Sequence, residues 1–105
     1  MLAYGIIRHM AAELVIDQRF TLPDGAIIQI KVWRLPEPVP PSPHRLKYSL
    51  FYGRPGERIV GYDNERGKGD HKHLGGVESA YTFVSIERLL ADFRADVEAV
   101  RGESL

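Results

Sequence analysis

The segment from His44 to Tyr52 carries the pattern that most constrains how this chain can fold. Apolar and polar side chains alternate along it, so the apolar ones share one face of an extended segment. The apolar positions are Leu46, Tyr48, Leu50 and Tyr52. The same period of two recurs between Ala26 and Leu35. Alternation of this kind is typical of strands that bury one face, and it predicts an antiparallel sheet.

Turn signals divide the chain into further strands. Pro23-Asp24-Gly25 separates two apolar runs and predicts a hairpin, because proline presets one backbone dihedral and glycine accepts positive φ. The predicted strands cover residues 13–20, 26–35, 44–52, 58–63 and, as a last short one, 81–84. Residues 36–43 hold five of the seven prolines, so we expect a stiff, extended connection between strands.

The C-terminal part of the chain has the period of a helix. Ser85 is a typical N-cap, Glu87 lies where the helix dipole favours a carboxylate, and Gly102 marks the end. The predicted apolar stripe is Ile86, Leu89, Leu90, Phe93, Val97 and Val100, and the predicted solvated side is Asp92, Arg94, Asp96, Glu98 and Arg101. The predicted fold is therefore α+β, an antiparallel meander sheet of four to five strands packed against one C-terminal amphipathic helix.

Length and composition restrict the class of protein. A chain of 105 residues is one domain, which we place at 13–105 behind a loosely attached N-terminal leader at 1–12. There is no cysteine, which excludes disulfides and thiolate metal sites and fits a reducing cytoplasm. No apolar run is long enough to span a membrane. The formal net charge is zero, but basic residues concentrate between residues 45 and 72, which predicts a basic face.

The polar stretch from Tyr62 to His73 is the candidate functional site. It holds two of the four histidines and almost no apolar residue, so we expect a solvated loop or a working site at a strand end, and no part of the core. His71 and His73 are two residues apart and point to the same side of an extended segment. Two imidazoles form an acid–base pair near neutral pH, because their unperturbed pKa is about 6.5.

These residue types match the requirements of RNA cleavage without a metal. One histidine would take the proton from the 2′-hydroxyl and the other would protonate the leaving oxygen, while Lys68 would hold the charge of the phosphorane. Arg66 and Lys72 would neutralise phosphate charge. Two alternatives stay open: a polar loop with incidental histidines, and a metal site of both histidines with Asp63 or Asp70.

Three other ring side chains need an interpretation. Tyr62 adjoins the polar stretch and either packs in the core, which we favour, or stacks on a base. His9 and His44 lie in the leader and next to the proline-rich connection, and both are expected at the surface.

The order of these features resembles a known family. Leu-x-Tyr-Ser-Leu-Phe-Tyr-Gly begins at Leu46, and Gly-Tyr-Asp-Asn-Glu-Arg-Gly-Lys-Gly-Asp-His-Lys-His covers residues 61–73. Together with the Pro-Asp-Gly hairpin and the C-terminal helix, these motifs are similar to the TumE-type toxins of bacterial toxin–antitoxin systems over residues 13–101. The resemblance implies a cytoplasmic bacterial toxin and an antitoxin, encoded beside it, that binds and silences it. The positions that match the family's polar motif are Asp63, Asn64, Lys68, Asp70, His71 and His73.

We therefore predict the toxin of a type II toxin–antitoxin pair that acts on RNA as a metal-independent ribonuclease, with no cofactor and no membrane partner, and that is neutralised by its cognate antitoxin. The predicted catalytic residues are His71, His73, Lys68 and Asp70, and the predicted substrate-binding residues are Tyr62, Asp63, Asn64, Arg66 and Lys72. Exposed sheet edges favour a homodimer through an edge strand. The alternative is a non-enzymatic binding module that inhibits a partner through the basic sheet face of Arg45, Lys47 and Arg58.

Overall fold

A six-stranded antiparallel meander and one helix make up residues 12–105, the part of the chain that the computed structural model describes. The strands are β1 (Glu13–Thr21), β2 (Ile27–Arg34), β3 (Leu46–Arg54), β4 (Glu57–Glu65), β5 (Gly69–Leu74) and β6 (Val77–Ala80), and the helix is α1 (Ile86–Arg101). Each strand pairs with the next one in the chain, which confirms the α+β meander with one strand more than the four or five predicted. The leader predicted at 1–12, with His9, lies outside the described residues except for Ala12.

The first hairpin forms as its turn residues predict. The side chain of Asp24 accepts a hydrogen bond from the backbone N–H of Ala26 at 3.0 Å, and Gly25 has a φ of 88°. A local side-chain acceptor and a glycine at positive φ are the features that close such a turn. The turn brings β1 and β2 into register from the Thr21–Ile27 pair onwards.

One face of the sheet forms the core with α1. Buried side chains alternate along β2, β3 and β4, as the period of two predicts. The core consists of Ala26, Ile28, Val32, Tyr48, Leu50, Tyr52, Val60 and Tyr62 from the sheet side and of Leu89, Phe93 and Val97 from α1. Full burial of a large apolar side chain contributes about 1.5–3 kcal/mol, so this face holds the helix against the sheet.

The opposite face of the sheet carries a cross-strand row of polar side chains. The row runs through Asp17, Lys31, Ser49, Asp63 and His71, one residue from each of the first five strands. We call this face the open face, because α1 packs on the other one. Among the described residues, no helix is long and apolar enough to cross a membrane.

α1 begins and ends where the sequence predicts. The hydroxyl of Ser85 accepts a hydrogen bond from the backbone N–H of Arg88 at 3.0 Å. At the other end Gly102 has a φ of 75° and donates its N–H to the carbonyl of Glu98 at 2.8 Å. Both caps use groups that the helix itself leaves without partners.

The prediction that Val100 belongs to the apolar stripe is wrong. Its side chain is 52% exposed, and Arg101, four residues after the buried Val97, takes the inward position. The Arg101 guanidinium lies 5.9 Å from the centre of the Tyr52 ring and donates to the Tyr52 hydroxyl at 3.0 Å. Arg101 therefore packs against the sheet and is not part of the solvated side of the helix.

Two aspartates predicted on the solvated side of α1 also turn towards the sheet. The hydroxyl of Tyr62 donates to Asp96, and the hydroxyl of Tyr81 donates to Asp92 at 2.7 Å. Burial raises the pKa of the Tyr62 and Tyr81 hydroxyls, and the hydrogen bonds to the carboxylates raise it further. The helix is thus fixed by two tyrosine–aspartate bonds as well as by its apolar stripe.

The polar stretch from Tyr62 to His73 is a hairpin made by the end of β4 and most of β5. The expectation that it takes no part in the core is wrong, because Tyr62 and Asn64 are 1% exposed and His71 is 4% exposed. Strand pairing satisfies the backbone of both segments, so alternate polar side chains can be buried where they find partners of their own. The chain reverses at a tight turn in which Gly67 has a φ of 87°.

The prediction of a short strand at Tyr81–Val84 is also wrong. Gly75-Gly76 reverses the chain directly after β5, so the next four residues pair back onto it as β6, from Leu74 opposite Val77. Residues 81–84 have already passed the end of the sheet. Instead of pairing, the Phe83 ring packs 4.1 Å from the ring centre of His44.

The proline-rich connection joins β2 to its neighbour β3 without forming a strand, as predicted. Asp70 of β5 fixes its end by accepting hydrogen bonds from the Ser42 hydroxyl, from His44 Nε2 at 2.6 Å and from the Tyr48 hydroxyl at 2.8 Å. The expectation that His44 lies at the surface is wrong, because only 16% of its side chain is exposed. Its partner Asp70 lies 26 positions further along the chain, so the local sequence does not show the contact.

Candidate functional site

Four side chains converge on the open face where β4, β5 and β6 lie side by side. Asp63 is opposite His71 in the pairing of β4 with β5, and His73 is opposite Glu78 in the pairing of β5 with β6. The two imidazole rings point to the same side, as predicted, with their centres 5.1 Å apart. We call Asp63, His71, His73 and Glu78 the carboxylate–histidine cluster.

The nitrogen Nε2 of His71 is the centre of this cluster. It lies 2.5 Å from Asp63 Oδ1, 3.4 Å from Glu78 Oε2 and 3.7 Å from Glu65 Oε1. Nε2 of His73 lies 3.9 Å from the same Asp63 oxygen and 3.7 Å from the same Glu78 oxygen. Three acidic side chains and two imidazoles therefore face one small volume.

The two ring nitrogens of His71 have different surroundings. Nδ1 lies 2.9 Å from the carbonyl oxygen of Gly69, and a carbonyl only accepts, so Nδ1 carries a proton. Nε2 faces Asp63 Oδ1, and this contact is an ion pair when Nε2 also carries a proton. Among the described residues, neither of these two atoms makes a hydrogen bond, and both are sealed from solvent. Buried polar atoms without partners are rare and often mark functional sites.

His73 is held differently. Arg58 donates from its NH2 group to Nδ1 of His73 at 2.9 Å. Burial lowers the pKa of the His73 imidazole, and the charge of Arg58 lowers it further. Gly61 makes this contact possible, because a Cβ at that position would lie 2.5 Å from Cδ of Arg58. The glycine lets the arginine lie flat across β4 and reach β5.

Lys68 reaches the cluster from the β4–β5 turn. Its ammonium lies 2.7 Å from Glu78 Oε2 and 3.9 Å from Glu65 Oε1. The hydrogen bond to Glu78 raises the pKa of Lys68, and the same bond lowers the pKa of the Glu78 carboxyl. Half of the Lys68 side chain is exposed, so Lys68 is accessible to solvent and contacts the cluster at the same time.

Four of the residues predicted for the site lie on the core face instead. These are Tyr62, Asn64, Asp70 and Lys72, which alternate with the cluster residues along β4 and β5. Lys72 Nζ lies 3.6 Å from Asp96 Oδ2 and 5.7 Å from the Tyr62 ring centre. The packing interpretation of Tyr62 agrees with this position. Arg66 is exposed in the turn, next to a shallow cavity lined by Trp33 and Lys47.

Asn64 connects two strands from its buried position. Its Oδ1 accepts from the backbone N–H of Tyr48 at 3.1 Å, and its Nδ2 donates to the carbonyl of Leu46 at 2.7 Å. Lys47 donates to the backbone carbonyl of Asn64. The side chain therefore holds β3 against β4 beside Asp63.

The sequence interpretation missed Glu78 as a member of the site. No motif marks it, but the Gly75-Gly76 pair is a hairpin signal, and a two-residue turn there places Glu78 opposite His73. Glu65 was also passed over, although it precedes the turn that carries Lys68. Glu65 and Glu78 can be recognised as site residues only if the polar stretch is interpreted as strands.

A groove on the open face leads to the cluster. Its near part is lined by Lys31, Trp33, Lys47, Ser49, Asp63 and Glu65, and its far part by Arg19, Gln29, Lys31, Ser49 and Phe51. Lys31 and Ser49 line both parts, so the two parts are adjacent on the open face. Together they present two aromatic rings and four basic side chains, Arg19, Lys31, Lys47 and Arg54, and the near part reaches Asp63.

Comparison with known proteins gives the family. The family model described as toxin TumE matches residues 4–101. The chain belongs to the TumE toxin family. The match begins closer to the N-terminus than residue 13, where the sequence resemblance begins, and it includes the whole cluster. No curated protein and no solved structure matches the chain significantly.

Membership of the TumE family makes the chain a toxin of a toxin–antitoxin system, which implies an antitoxin as its partner. The division into a leader at 1–12 and a domain at 13–105 stays a prediction. Asp63, His71 and His73 each offer one ligand atom, and these atoms lie within 4.8 Å of one another, a spacing that fits a metal ion.

Proposed function

We propose that this TumE-family toxin acts in the cytoplasm as a ribonuclease, that the carboxylate–histidine cluster is its active centre, and that a cognate antitoxin neutralises it. The observation that carries the proposal is the convergence of two imidazoles, two carboxylates and Lys68 at the end of a basic groove. Both ring nitrogens of His44 have hydrogen-bond partners, whereas Nε2 of His71 is buried and faces the carboxylate oxygens of Asp63 and Glu78.

The groove supports single-stranded RNA as the substrate. Proteins that bind single strands combine a positively charged track for the backbone with aromatic rings on which bases stack. The open face supplies Arg19, Lys31 and Lys47 for the phosphates and the rings of Trp33 and Phe51 for the bases. Unpaired bases can be splayed onto a sheet in this way, whereas the base edges of an A-form duplex are poorly accessible.

The cations at the cluster support attack on a phosphodiester. Cleavage of RNA builds negative charge on the phosphorane, which nearby cations stabilise in a site of low polarity. Lys68 and Arg58 both contact cluster residues, at 2.7 Å from Glu78 and 2.9 Å from His73. Nε2 of His71 is buried, so the side chains around it have to move before an RNA can reach it. The metal-independent transfer of protons by His71 and His73 stays a prediction.

The test uses the toxin expressed with and without its neighbouring antitoxin gene. We expect the variant His71→Ala plus His73→Ala to abolish growth inhibition and cleavage of single-stranded RNA by the purified protein. Lys72→Ala is the matched control, because Lys72 lies between the two histidines on β5 but points to the core face. Circular dichroism checks that each variant is folded. If the double variant inhibits growth as strongly as the wild type at equal protein level, the proposed active centre is wrong.

A second candidate function is a binding module that inhibits a partner without chemistry. The observation that favours it is the position of Lys47 and Arg58 on the open face, with Arg45 exposed just before β3. In that case changing these three residues to alanine abolishes toxicity, while the histidine changes leave it intact. The histidine variants separate the two functions, whereas loss of Lys47 and Arg58 lowers toxicity under either one, because Lys47 lines the groove and Arg58 contacts His73.

Partner contacts through the sheet edges remain part of the proposal. Among residues 12–105, β1 and β6 are the two edges of the sheet, and all four residues of β6 are exposed. An exposed edge presents backbone groups that a strand from an antitoxin or from a second copy can pair with. The predicted homodimer is tested by sedimentation of the purified toxin with and without its antitoxin.

A further inference from the structure

We infer that the carboxylate–histidine cluster binds a divalent transition-metal ion of the Zn²⁺ class, with Asp63, His71, His73 and Glu78 as its ligands. Three adjacent strands present these four side chains to one point on the open face. The chain has no cysteine, so an all-nitrogen-and-oxygen ligand set is the one this protein can offer. This inference differs from the metal-independent transfer of protons by His71 and His73, and the effect of a chelator on RNA cleavage distinguishes the two.

The strongest evidence is the contact between Asp63 and His71. Because Nδ1 of His71 donates to the Gly69 carbonyl, a neutral ring has its lone pair on Nε2, which faces a carboxylate oxygen at 2.5 Å. Both atoms are buried, and neither has a hydrogen-bond partner among the described residues, so a proton on Nε2 or a cation has to lie between them. A metal ion there gives both atoms a partner and also uses the facing His73 and Glu78 side chains. The bond from Nδ1–H to a backbone carbonyl is also the usual outer contact of a histidine that ligates a metal.

Three distances in the cluster are close to those of tetrahedral coordination. Bonds of about 2.0–2.2 Å from Zn²⁺ to nitrogen and oxygen place neighbouring ligand atoms about 3.3–3.6 Å apart. The Glu78 oxygen lies 3.4 Å from Nε2 of His71 and 3.7 Å from Nε2 of His73, and the Asp63 oxygen lies 3.9 Å from the latter. The 2.5 Å contact between Asp63 and His71 has to lengthen when an ion binds.

Two basic side chains compete with the ion. Lys68 neutralises Glu78 at 2.7 Å, and Arg58 donates to Nδ1 of His73 at 2.9 Å. A His73 ring that ligates through Nε2 carries its proton on Nδ1, so Arg58 has to leave when the ion binds. Both side chains are exposed and can turn into solvent. Removing either side chain is therefore expected to strengthen metal binding. The same change weakens RNA binding if that side chain contacts a phosphate.

The metal site deepens the proposed function, and its part in catalysis rests on that function. A bound ion of this class is a Lewis acid that polarises a phosphate oxygen and activates a water or hydroxyl. The site lies where the groove ends, at Asp63. RNA cleavage would then require the metal, whereas binding of the metal does not require that the protein cleaves RNA.

The experiment is a titration of the untagged, chelator-treated full-length toxin with Co²⁺, which gives intense visible absorption when its coordination is tetrahedral. We expect one ion per chain, displacement of Co²⁺ by Zn²⁺, and at least about tenfold weaker binding for His73→Ala and Glu78→Gln. Arg58→Ala is expected to bind Co²⁺ more tightly than the wild type. Lys72→Ala, on the same strand but the opposite face, is expected to bind like the wild type.

The two proposals fail in different ways. Wild-type protein that gives no Co²⁺ absorption and holds no stoichiometric metal overturns the metal site, and so does His73→Ala protein that binds as tightly as the wild type. Protein that binds Co²⁺ as expected but leaves single-stranded RNA intact overturns the ribonuclease function and leaves the metal site in place. Cleavage that is unchanged in chelator overturns the catalytic part of the inference.

Discussion

Oδ1 of Asp63 lies 2.5 Å from Nε2 of His71, and neither atom has a hydrogen-bond partner among the described residues. An unpaired buried polar atom typically costs about 1–3 kcal/mol, so a proton or a cation between these two atoms stabilises the fold. The neighbouring Asp70, on the other face of β5, accepts three hydrogen bonds. The two faces of β5 therefore differ in how completely hydrogen bonds satisfy their polar side chains.

The first prediction follows from this unpaired contact. In metal-free protein, Asp63→Asn is expected to raise the free energy of unfolding by about 1 kcal/mol, because the amide N–H donates to Nε2 of His71. This corresponds to roughly 5 °C in the melting temperature of a domain of this size. Thermal and urea unfolding in chelator measure it. Asp17→Asn, in an exposed pair with Lys31 at 3.9 Å, is the control and should change little. Toxicity should be lost in Asp63→Asn even though the fold is more stable.

The second prediction concerns Asn64. Replacement by alanine leaves the backbone N–H of Tyr48 and the carbonyl of Leu46 without their side-chain partners in a buried place. Each lost partner costs about 1–3 kcal/mol, so the loss of both in Asn64→Ala is expected to lower the free energy of unfolding by about 2–6 kcal/mol. Urea denaturation measures the loss, with the exposed Ser49→Ala on β3 as control. Equal midpoints for the two variants would contradict the role assigned to Asn64.

The third prediction is a pH dependence. The hydrogen bond from Tyr81 holds the pKa of the Asp92 carboxyl below its usual range, and Arg88 lowers it further. A folded-state pKa below the unfolded value of about 3.9 contributes stability above that pH, and the contribution is lost as the pH falls through the folded pKa. Tyr81→Phe is therefore expected to cost about 1 kcal/mol at pH 7, and less below about pH 4. Urea unfolding at pH 7 and pH 3 tests this, and a difference that does not change with pH counts against it.

The fourth prediction tests the groove. Lys31→Ala is expected to weaken binding of single-stranded RNA and to reduce the slope of log affinity against log salt by about 0.7, because one phosphate contact is lost. Trp33→Ala is expected to lose about 1–3 kcal/mol of binding through one stacked base, with little change in the slope. Fluorescence anisotropy at several salt concentrations separates the two effects. Lys72→Ala should match the wild type, and if it weakens binding as much as Lys31→Ala, the RNA does not follow the open face.

Local patterns predicted much of the fold correctly. The alternation in β2 and β3, the Asp24-Gly25 turn and the caps of α1 are properties of a few neighbouring residues, so the sequence shows them directly. The β4–β5 hairpin was missed as a pair of strands because its polar residues resemble a loop. They are buried only because partners elsewhere satisfy them, as Asn64 is satisfied by β3.

The candidate site was predicted in part for the same reason. His71 and His73 share a face whenever their segment is extended, so their convergence with Asp63 follows once β4 and β5 pair. The sequence shows no such sign for Glu78, whose position depends on the register of β6. Asp70, grouped with the histidines by sequence proximity, points to the opposite face and holds the proline-rich connection. In a strand, a side chain one position away in the sequence points to the opposite face of the sheet.

The meander has one more consequence for this centre. All four cluster side chains come from the continuous segment 63–78, because each strand pairs with the next one in the chain. Only short loops have to close for the centre to assemble, so the entropy lost on closure is small and the contacts are of low order. Substitutions within these two adjacent hairpins can therefore change or remove the carboxylate–histidine cluster, while β1, β2 and α1 continue to specify the same fold.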